Sequence, residues 1–317
     1  MYKQKKIAVT IPAYNERKLI RKTIESIPRY IDKIIVVDDA STDDAFLILK
    51  NIKKDIGKRL IIIRHHNNQG VGGAIITGYK QALIENMDIA VVMAGDAQMD
   101  PNDLPNILDP IVNGKADYSK GNRLLNKNIR DIMPGIRYFG NSLLTILTKI
   151  ATGYWGIMDP ECGYTAISKK TLGILPLDKI YRRYGFENDI LIQLNIYRQR
   201  VINTPVIPVY AKEKSGIMLY SFIPKISFLL LRGFLHRMKE KYLIREFHPL
   251  LLFYFYGFIA TLIGIILALQ ISYLRIFRHI IATDGTIILT ALLLITGLQA
   301  VFFAMWFDME DNKKLGQ

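Results

Sequence analysis

Short β-branched runs alternate with stretches of helical spacing along the first part of the chain. The runs lie at residues 7–11, 34–37, 60–63 and 89–93. Between them, apolar residues recur at the three- and four-residue spacing of a helix in 17–29, 43–54 and 71–86. Alternation of this kind forms right-handed parallel crossovers, so the pattern predicts an α/β fold with a mostly parallel sheet.

Two long segments near the C-terminal end carry no charge. Residues 249–271 and 285–307 would each span about 34 Å as a helix, enough to cross a hydrocarbon core of about 30 Å. A pair of buried core helices is the alternative, but such helices rarely reach this length without a charged residue. We therefore predict two transmembrane helices joined by the loop 272–284.

The flanking charges predict which side of the membrane the rest of the chain occupies. The N-terminal residues lack the apolar core of a signal peptide, so residues 1–248 are expected on the cytoplasmic side. Cations precede the first span and follow the second, whereas the loop holds Arg275 and Arg278, in agreement with the positive-inside rule. The tail 308–317 is then also expected to be cytoplasmic.

A basic amphipathic stretch precedes the first predicted span. Apolar residues recur at helical spacing in 221–247, and six cations are interleaved with them: Lys225, Arg232, Arg237, Lys239, Lys241 and Arg245. Such a stretch is typical of a helix that lies in the membrane interface and binds anionic headgroups. We predict interfacial amphipathic helices over 216–248, with an ordinary solvated helix face as the alternative.

Composition narrows the classes of function. The 317 residues hold 42 Lys and Arg against 28 Asp and Glu, a formal net charge of +14, and a single cysteine, Cys162. One cysteine excludes a disulfide framework and a cysteine-based zinc site. The cations do not cluster with stacking aromatic residues, so the positive charge favours a membrane surface and phosphate-bearing substrates, and no nucleic acid partner is expected.

Polar clusters follow each of the four predicted strands. They occupy 12–16, 38–43, 65–73 and 95–98. Ligands of parallel α/β sheets bind beyond the carboxyl ends of the strands, so four converging clusters indicate a binding site there. Each cluster alone could merely close a strand or cap a helix. The Gly70-Val-Gly72-Gly73 loop lacks the Gly-Lys-Ser/Thr of a P-loop and is expected to pack closely at a helix start. His65 and His66 are expected to be ordinary loop residues.

Six segments, in order, resemble the family 2 glycosyltransferases with a GT-A fold. They read PAYNE at 12–16, VVDDASTDD at 36–44, AGDAQMDP at 94–101, GNR at 121–123, DPECGYTAIS at 159–168 and YGFEND at 184–189. The resemblance implies a Rossmann-like GT-A catalytic domain over 1–215. With the two C-terminal spans, the chain resembles the polyprenyl-phosphate branch, of the dolichol-phosphate mannose synthase type. Neither Trp155 nor Trp306 follows an arginine, so the Gln-x-x-Arg-Trp motif of the processive synthases is absent.

The resemblance implies which residues hold a nucleotide-sugar donor. Pro12, Tyr14 and Glu16 would form the wall for base and ribose, with Glu16 accepting a ribose hydroxyl. Asp39, with Asp38 beside it, would lie against the edge of the base.

A divalent cation would neutralise the diphosphate leaving group, and oxygen ligands suit Mg²⁺ or Mn²⁺. Asp96 is expected to bind this metal, with Gln98 as a second oxygen ligand. The family commonly has Asp-x-Asp where this chain reads Ala94-Gly95-Asp96, so metal affinity is expected to be weaker, or Asp100 to help.

The second pKa of an acceptor phosphate is about 6, so the phosphate is already a nucleophile at neutral pH and needs no general base. What it needs is cations that hold and orient it. By resemblance, these cations are Arg123 and Arg137, with Asn141 or Ser142 as a hydrogen-bond donor.

Lys214, with Ser215, would form a flap over the donor phosphates. Asp159 and Glu187 have two readings: they orient sugar hydroxyls, or they pair with Arg182 and Arg183.

The resemblance implies an inverting enzyme at the cytoplasmic membrane face that transfers one sugar to a polyprenyl or dolichyl phosphate. GDP-mannose is the first expectation for the donor and UDP-glucose the second. An inactive scaffold that binds lipid phosphate is the alternative of another class, supported by Ala94. Membrane lipids are expected partners, and a homo-oligomer is possible.

Overall fold

A computed structural model describes residues 1–125, 135–207 and 219–316, without the side chains of residues 125, 135–143 and 219–223. The chain divides into two compact units. Unit 1 comprises Met1–Leu235 together with Lys314–Gln317, and unit 2 comprises His236–Lys313.

Within the described residues, unit 1 is built on a seven-stranded sheet. The strands are β1 (Ile7–Ala13), β2 (Lys33–Asp38), β3 (Leu60–Arg64), β4 (Ile89–Val92), β5 (Tyr118–Asn122), β6 (Thr165–Ser168) and β7 (Val201–Pro205). Their order across the sheet is β3-β2-β1-β4-β6-β5-β7, and only β6 runs antiparallel to its neighbours. The predicted mostly parallel α/β sheet is confirmed.

Helices cover both faces of the sheet. In unit 1 they are α1 (Ile20–Ser26), α2 (Ala45–Ile56), α3 (Val71–Ile84), α4 (Leu104–Val112), α5 (Gly135–Thr152), α6 (Lys169–Ile174) and α7 (Phe186–Ile196). Alternate side chains of each strand enter opposite cores, as the two-residue period of a strand requires. Ala8 of β1 joins the core beneath α3 and α7, whereas Val9 joins the core beneath α1, α2 and α4.

Helix α3 lies so close to β1 that one position must be glycine. A Cβ on Gly78 would stand 2.0 Å from Thr10 Cγ2, well inside van der Waals contact. This close packing fixes the start of α3, and the loop that precedes it, against the carboxyl edge of the sheet.

A further helix, α8 (Leu219–Lys239), carries the predicted amphipathic pattern. Ile226 and Leu230 are buried, whereas Phe228, Leu231 and Leu235 are exposed. A Cβ on Gly233 would lie 2.2 Å from Ile192 of α7, so this face of α8 packs against unit 1. The exposed apolar face agrees with the prediction of an interfacial helix, which remains a prediction.

Unit 2 contains two helices long and apolar enough to cross a membrane, α9 (Leu250–Phe277) and α10 (Asp284–Asn312). Only 28 % and 22 % of their most apolar stretches are buried, so they are not core helices of a soluble fold. They pack on each other through small residues: a Cβ on Gly257 or Gly297 would approach the facing backbone to within 2.9 Å. Both helices extend beyond the predicted spans 249–271 and 285–307.

A buried charged cluster lies at the end of α10. Arg237 donates two hydrogen bonds to Asp308, at 2.7 and 2.9 Å, and neither side chain is exposed to solvent. The Tyr242 hydroxyl lies 2.7 Å from Asp308 Oδ1, and Lys241 lies 3.1 Å from Asp311. Two cations and two carboxylates balance, as burial of charge requires.

The chain returns to unit 1 after α10. Val201 at the start of β7 donates its backbone N–H to the Leu315 carbonyl at 2.7 Å, and Val201 bridges to Gly316 in parallel. Leu315 packs against the core beneath α3 and α7. The segment expected as a plain cytoplasmic tail therefore begins as helix and ends as an extension of the sheet.

Candidate active site

The loops that follow β1 and β2 are joined by hydrogen bonds. The Asn15 backbone N–H donates to Ser41 Oγ at 3.0 Å, and the Thr42 backbone N–H donates to Asn15 Oδ1 at 2.9 Å. Asn15 adopts a φ of +59°, a conformation that asparagine tolerates better than most residues. Ser41 thus links two loops rather than capping α2, and Tyr14 beside this junction is exposed.

Asp38 is fully buried at the end of β2. Its Oδ1 accepts the backbone N–H of Ser41 at 3.3 Å, and its Oδ2 lies 3.1 Å from Arg64 Nε. Arg64 also donates to the Ser41 carbonyl. Asp38 therefore holds the turn after β2, and its position favours a supporting role over contact with a base.

Asp39 organises the loop between β3 and α3. Its carboxylate accepts the backbone N–H groups of Gln69 and Gly70, both at 2.8 Å, and His65 Nδ1 lies 2.7 Å from Asp39 Oδ1. The other imidazole nitrogen lies 2.9 Å from the Thr77 hydroxyl. His65 is a loop residue, as expected, but it is buried and bonded at both ring nitrogens, which the sequence did not indicate. His66 is exposed, as expected.

The glycines of this loop serve close packing, as the sequence predicts. Gly70 has a φ of +87°, and a Cβ there would stand 2.7 Å from the Arg182 carbonyl. The Gly73 N–H donates to that same carbonyl at 2.9 Å, and Arg182 Nη1 donates to Gln69 Oε1. The loop is thus held between Asp39 on one side and the segment before α7 on the other.

The turn after β4 carries the predicted metal ligands. Asp96 Oδ1 accepts the Gln98 backbone N–H at 3.0 Å. Glu16 packs against this turn, since its Cγ is 3.4 Å from the place a Cβ would take on Gly95. Asp100, suggested as a substitute ligand, instead accepts the Asn102 N–H and caps the 3₁₀ turn that follows.

A cavity of about 100 Å³ brings the predicted metal ligands and one predicted phosphate ligand together. Its lining includes Asp96, Gln98 and Arg123, with Cys162, Gly163 and Tyr164 from the loop before β6 and Ile207 after β7. Four stretches far apart in sequence therefore meet at one point beyond the carboxyl ends of β4 and β5.

Asp159 holds Arg123 in a fixed orientation. Arg123 Nε and Nη2 lie 2.7 and 2.8 Å from the two Asp159 oxygens, and the Arg123 backbone N–H donates to the same carboxylate. Burial alone would raise the pKa of Asp159, but the hydrogen bonds and charge of Arg123 hold that pKa below its usual value. The reading that Asp159 pairs with Arg182 or Arg183 is wrong.

A buried lysine that the sequence did not single out supports the same loop. Lys120 of β5 is fully buried and donates from Nζ to the Cys162 carbonyl at 2.5 Å. Burial raises the pKa of Glu187, opposed by the positive charge of Lys120. The strand that contains Lys120 reads YSKGN and holds no β-branched residue, so the sequence pattern did not predict Lys120 to be in a strand.

Several expected residues lie outside the described part. The backbone of Arg137, Asn141 and Ser142 belongs to α5, but their side chains lie outside the described residues. Lys214 and Ser215 fall in 208–218, also outside them.

The donor set tests whether a divalent ion suits the site. Within the part of the chain that the structure describes, no three His, Cys, Asp or Glu side chains form a metal cluster. Asp96 and Gln98, which line the same cavity, nevertheless supply carboxylate and amide oxygens, and Mg²⁺ is often held by one or two carboxylates plus substrate phosphates. The residues present therefore fit a metal shared with a diphosphate, and not a metal held by protein alone.

Known proteins resemble this chain in both sequence and fold. The model of "Glycosyl transferase family 2" matches residues 8–173. A UDP-N-acetylglucosamine–dolichyl-phosphate N-acetylglucosaminyltransferase of Methanococcus voltae is 32% identical over 66% of this chain and 87% of that protein. An undecaprenyl-phosphate 4-deoxy-4-formamido-L-arabinose transferase of Proteus mirabilis is 26% identical over 95% of this chain and 86% of that protein.

Solved structures extend the likeness to the fold. Glucosyl-3-phosphoglycerate synthase from Mycobacterium tuberculosis, crystallised with Mn²⁺, UDP and glucosyl-3-phosphoglycerate, superimposes with a TM-score of 0.51 at 20% identity, over 74% of this chain and 80% of that one. The sheet order, the loops at its carboxyl edge and the family match over more than half of the chain agree with one another. The protein belongs to glycosyl transferase family 2 and is a glycosyltransferase of the GT-A fold.

Proposed function

We propose that the protein transfers a single sugar from a nucleotide sugar to a polyprenyl or dolichyl phosphate at a membrane surface. The observation that carries the proposal is the cavity that Asp96, Gln98 and Arg123 line together. Oxygen ligands for a diphosphate-bound metal and a cation for a second phosphate lie there within one small space. Two membrane-length helices in the same chain support a lipid-borne acceptor, since they would anchor the chain at a membrane.

The donor would lie along the loops after β1, β2 and β4. Tyr14 is exposed beside the Asn15–Ser41 junction, where its ring can contact a base or ribose. Glu16 packs against Gly95 and so lies at the same edge of the sheet as Asp96. Its proposed role is to accept a ribose hydroxyl. The Asp39 carboxylate already accepts three hydrogen bonds, so Asp39 would act mainly by shaping the base pocket.

Asp96 and Gln98 would hold Mg²⁺ or Mn²⁺ together with the diphosphate of the donor. A divalent ion bound there would neutralise the negative charge that develops on the leaving nucleoside diphosphate. The relative with a Mn²⁺-bound crystal structure supports this choice of ion by fold only. Ala94 removes one carboxylate of the family motif, so the affinity for the free ion should be low and should rise with nucleotide present.

Arg123 would bind the acceptor phosphate. Its guanidinium is oriented by the buried Asp159, which leaves little freedom to lose when a phosphate arrives. Arg137, with Asn141 or Ser142, remains proposed for the same phosphate. The phosphate oxygen attacks the anomeric carbon directly, since a dianionic phosphate needs no base, and a single displacement inverts the configuration there.

The identity of the sugar rests on relatives. GDP-mannose is the donor expected from the sequence resemblance. The Methanococcus voltae relative is named for UDP-N-acetylglucosamine, which favours a UDP-sugar for this chain. Both nucleotides therefore belong in the test.

The test is a transfer assay on the full chain in detergent with Mn²⁺, a polyprenyl phosphate and labelled UDP-N-acetylglucosamine, UDP-glucose or GDP-mannose. One donor should yield lipid-linked sugar that depends on divalent ion. Transfer from none of the donors to any polyprenyl phosphate would overturn the proposal and support the inactive scaffold.

The metal ligand has a matched control in the same loop. Asp96→Asn should lower kcat/KM at least a hundredfold, because removing a ligand from the site of charge development costs about 3 kcal/mol or more. Asp100→Asn removes an equal charge from a turn-capping position and should change kcat/KM less than about threefold. Equal losses in the two variants would show that the assigned metal site is wrong.

A further inference from the structure

We propose that His65 is a positioning residue for the nucleotide site, acting through Asp39 to set the β3–α3 loop; this rests on the proposed nucleotide-sugar donor. The imidazole touches no proposed substrate position. Its effect is transmitted by one hydrogen bond to the carboxylate that orders the loop.

The imidazole is committed at both ends. Nδ1 lies 2.7 Å from Asp39 Oδ1 and Nε2 lies 2.9 Å from Thr77 Oγ1. An ionised carboxylate only accepts, so Nδ1 carries a proton and donates to Asp39. Thr77 sits in α3, whose first turns are packed on β1 through Gly78. His65 therefore connects the Asp39 carboxylate to a rigid helix.

Asp39 in turn determines the loop conformation. Its two oxygens accept the N–H groups of the successive residues Gln69 and Gly70, which point inward only while the carboxylate faces them. Without the His65 bond, Asp39 Oδ1 loses one of its two partners, and the carboxylate is held less firmly against the two N–H groups. Buried polar networks of this type hold a site geometry only when every member is bonded.

The loop is adjacent to the proposed donor pocket on the sheet edge. Asp39 follows β2, and its N–H donates to the Ala13 carbonyl, directly before Tyr14. The Asn68 amide also donates to the Asp39 carbonyl. A shift of Asp39 therefore moves the wall on which the base would rest, while Asp96 and Arg123, which follow β4 and β5, are held by separate contacts.

Because these contacts are separate, a change at His65 should weaken donor binding and leave the rate of the chemical step nearly unchanged. His65→Ala should raise the KM for the nucleotide sugar about tenfold or more, the size expected for losing a hydrogen bond to a charged group. The kcat at saturating donor should stay within about threefold. Dissociation constants for UDP and GDP with Mn²⁺, measured by calorimetry, should rise in parallel for whichever nucleotide binds the wild type.

Two conservative variants separate positioning from general stability. His65→Asn keeps an amide N–H near the place of Nδ1 and should restore most donor affinity, whereas His65→Gln reaches the place of Nε2 and should restore less. Both variants fill part of the same space, so a loss of folding alone would affect them alike. His66→Ala, an exposed neighbour in the same loop, should leave donor KM unchanged.

The outcomes decide between the inference and its premise. If the wild type binds neither nucleotide, the proposed donor site itself fails. If the wild type binds and His65→Ala lowers kcat without raising KM, or His65→Asn is no better than His65→Gln, the positioning role is wrong while the donor site stands.

Discussion

A single ion pair fixes the direction of the proposed phosphate ligand. Asp159 is buried, and its two oxygens meet the Nε and Nη2 atoms of Arg123, the bidentate geometry in which arginine is held most firmly. A near copy exists at the opposite end of β5. Asp117 accepts Nε, Nη2 and the backbone N–H of Arg200 in the same manner. The chain thus contains one such pair at the proposed site and another far from it.

The Arg123–Asp159 pair should affect both activity and stability, whereas the Arg200–Asp117 pair should affect stability alone. Asp159→Asn and Asp117→Asn should each lower the free energy of unfolding by about 1–2 kcal/mol, the lower range for a charged hydrogen bond because each arginine is partly exposed. Only Asp159→Asn should also reduce transfer, by about tenfold or more, because Arg123 loses its fixed orientation. Equal activity losses would contradict the assignment.

The pH dependence of this contribution follows from the depressed pKa of Asp159, which Arg123 holds below the usual value despite burial. A carboxyl group with a lowered folded pKa stabilises fully above its unfolded pKa, near 3.9, and loses that stabilisation as the pH falls through the folded value. The difference in melting temperature between wild type and Asp159→Asn should therefore be constant from about pH 5 to 8 and shrink below about pH 4. A difference that vanishes near pH 6 would show that another group carries it.

Sequence patterns singled out polar residues of the proposed site, but not how those residues are bonded. Asp39, Asp96 and Arg123 were found because motifs place them after strands. The role of His65 depends on β2 and β3 lying side by side, and that of Asp159 on a loop returning to β5. No spacing in the chain reports either contact, since both join residues that tertiary packing alone brings together.

At the scale of elements, two helical glycines, one in α3 and one in α6, differ in what surrounds them. Gly78 packs on Thr10 of β1 with no room for a methyl group. Gly173, in α6, has open space around its Cα and helical backbone angles. Packing requires a glycine at Gly78, whereas Gly173 has room for a side chain that would favour the helix.

These two positions give opposite expected results. Gly78→Ala should destabilise by about 1–3 kcal/mol through overpacking, and adding Thr10→Ser, which removes the clashing methyl, should recover much of the loss. Gly173→Ala should be neutral or stabilise by about 0.5–1 kcal/mol through helix propensity. Thermal unfolding of these three variants in detergent measures both effects, and a neutral Gly78→Ala would mean that α3 does not lie against β1 as described.

The strands β1, β2 and β4 were predictable because parallel strands buried on both faces read as continuous β-branched runs, and the edge strand β3 has the same composition. The strands β5, β6 and β7 were not, since YSKGN, TAIS and VINTP are short and mix polar with apolar residues. The amphipathic stretch and both membrane-length segments were found because length and charge alone identify them.

At the scale of the whole molecule, unit 2 depends on a buried charge pair. Arg237 and Asp308 are wholly removed from solvent, so neither tolerates loss of the other. Asp308→Ala should lower stability by about 3–5 kcal/mol because a buried guanidinium is left unpaired. The double change Arg237→Met with Asp308→Leu should cost much less. Glu310→Gln, at an exposed pair on the same helix, should change the melting temperature in detergent very little.

The proposed orientation can be measured with introduced cysteines. Ile281 lies exposed between α9 and α10, and Glu310 lies exposed near the end of α10. An impermeant maleimide added to intact cells should label Ile281→Cys, and Glu310→Cys should react only after lysis. The native Cys162 is buried and should give a low background. Labelling of both positions from one side would contradict two membrane crossings.

The bridge between Val201 and the segment after α10 has a consequence for how the protein matures. Strand β7 is synthesised long before Leu315 and Gly316, and both membrane segments must emerge between them. In the proposed topology, Leu315 and Gly316 can reach β7 only when both helices cross the membrane or neither does. A chain with a single crossing would place Leu315 on the opposite side of the membrane from β7 and leave the core beside that strand uncovered. In that topology, the edge of the sheet beside β7 would be completed only after both helices have been synthesised and inserted.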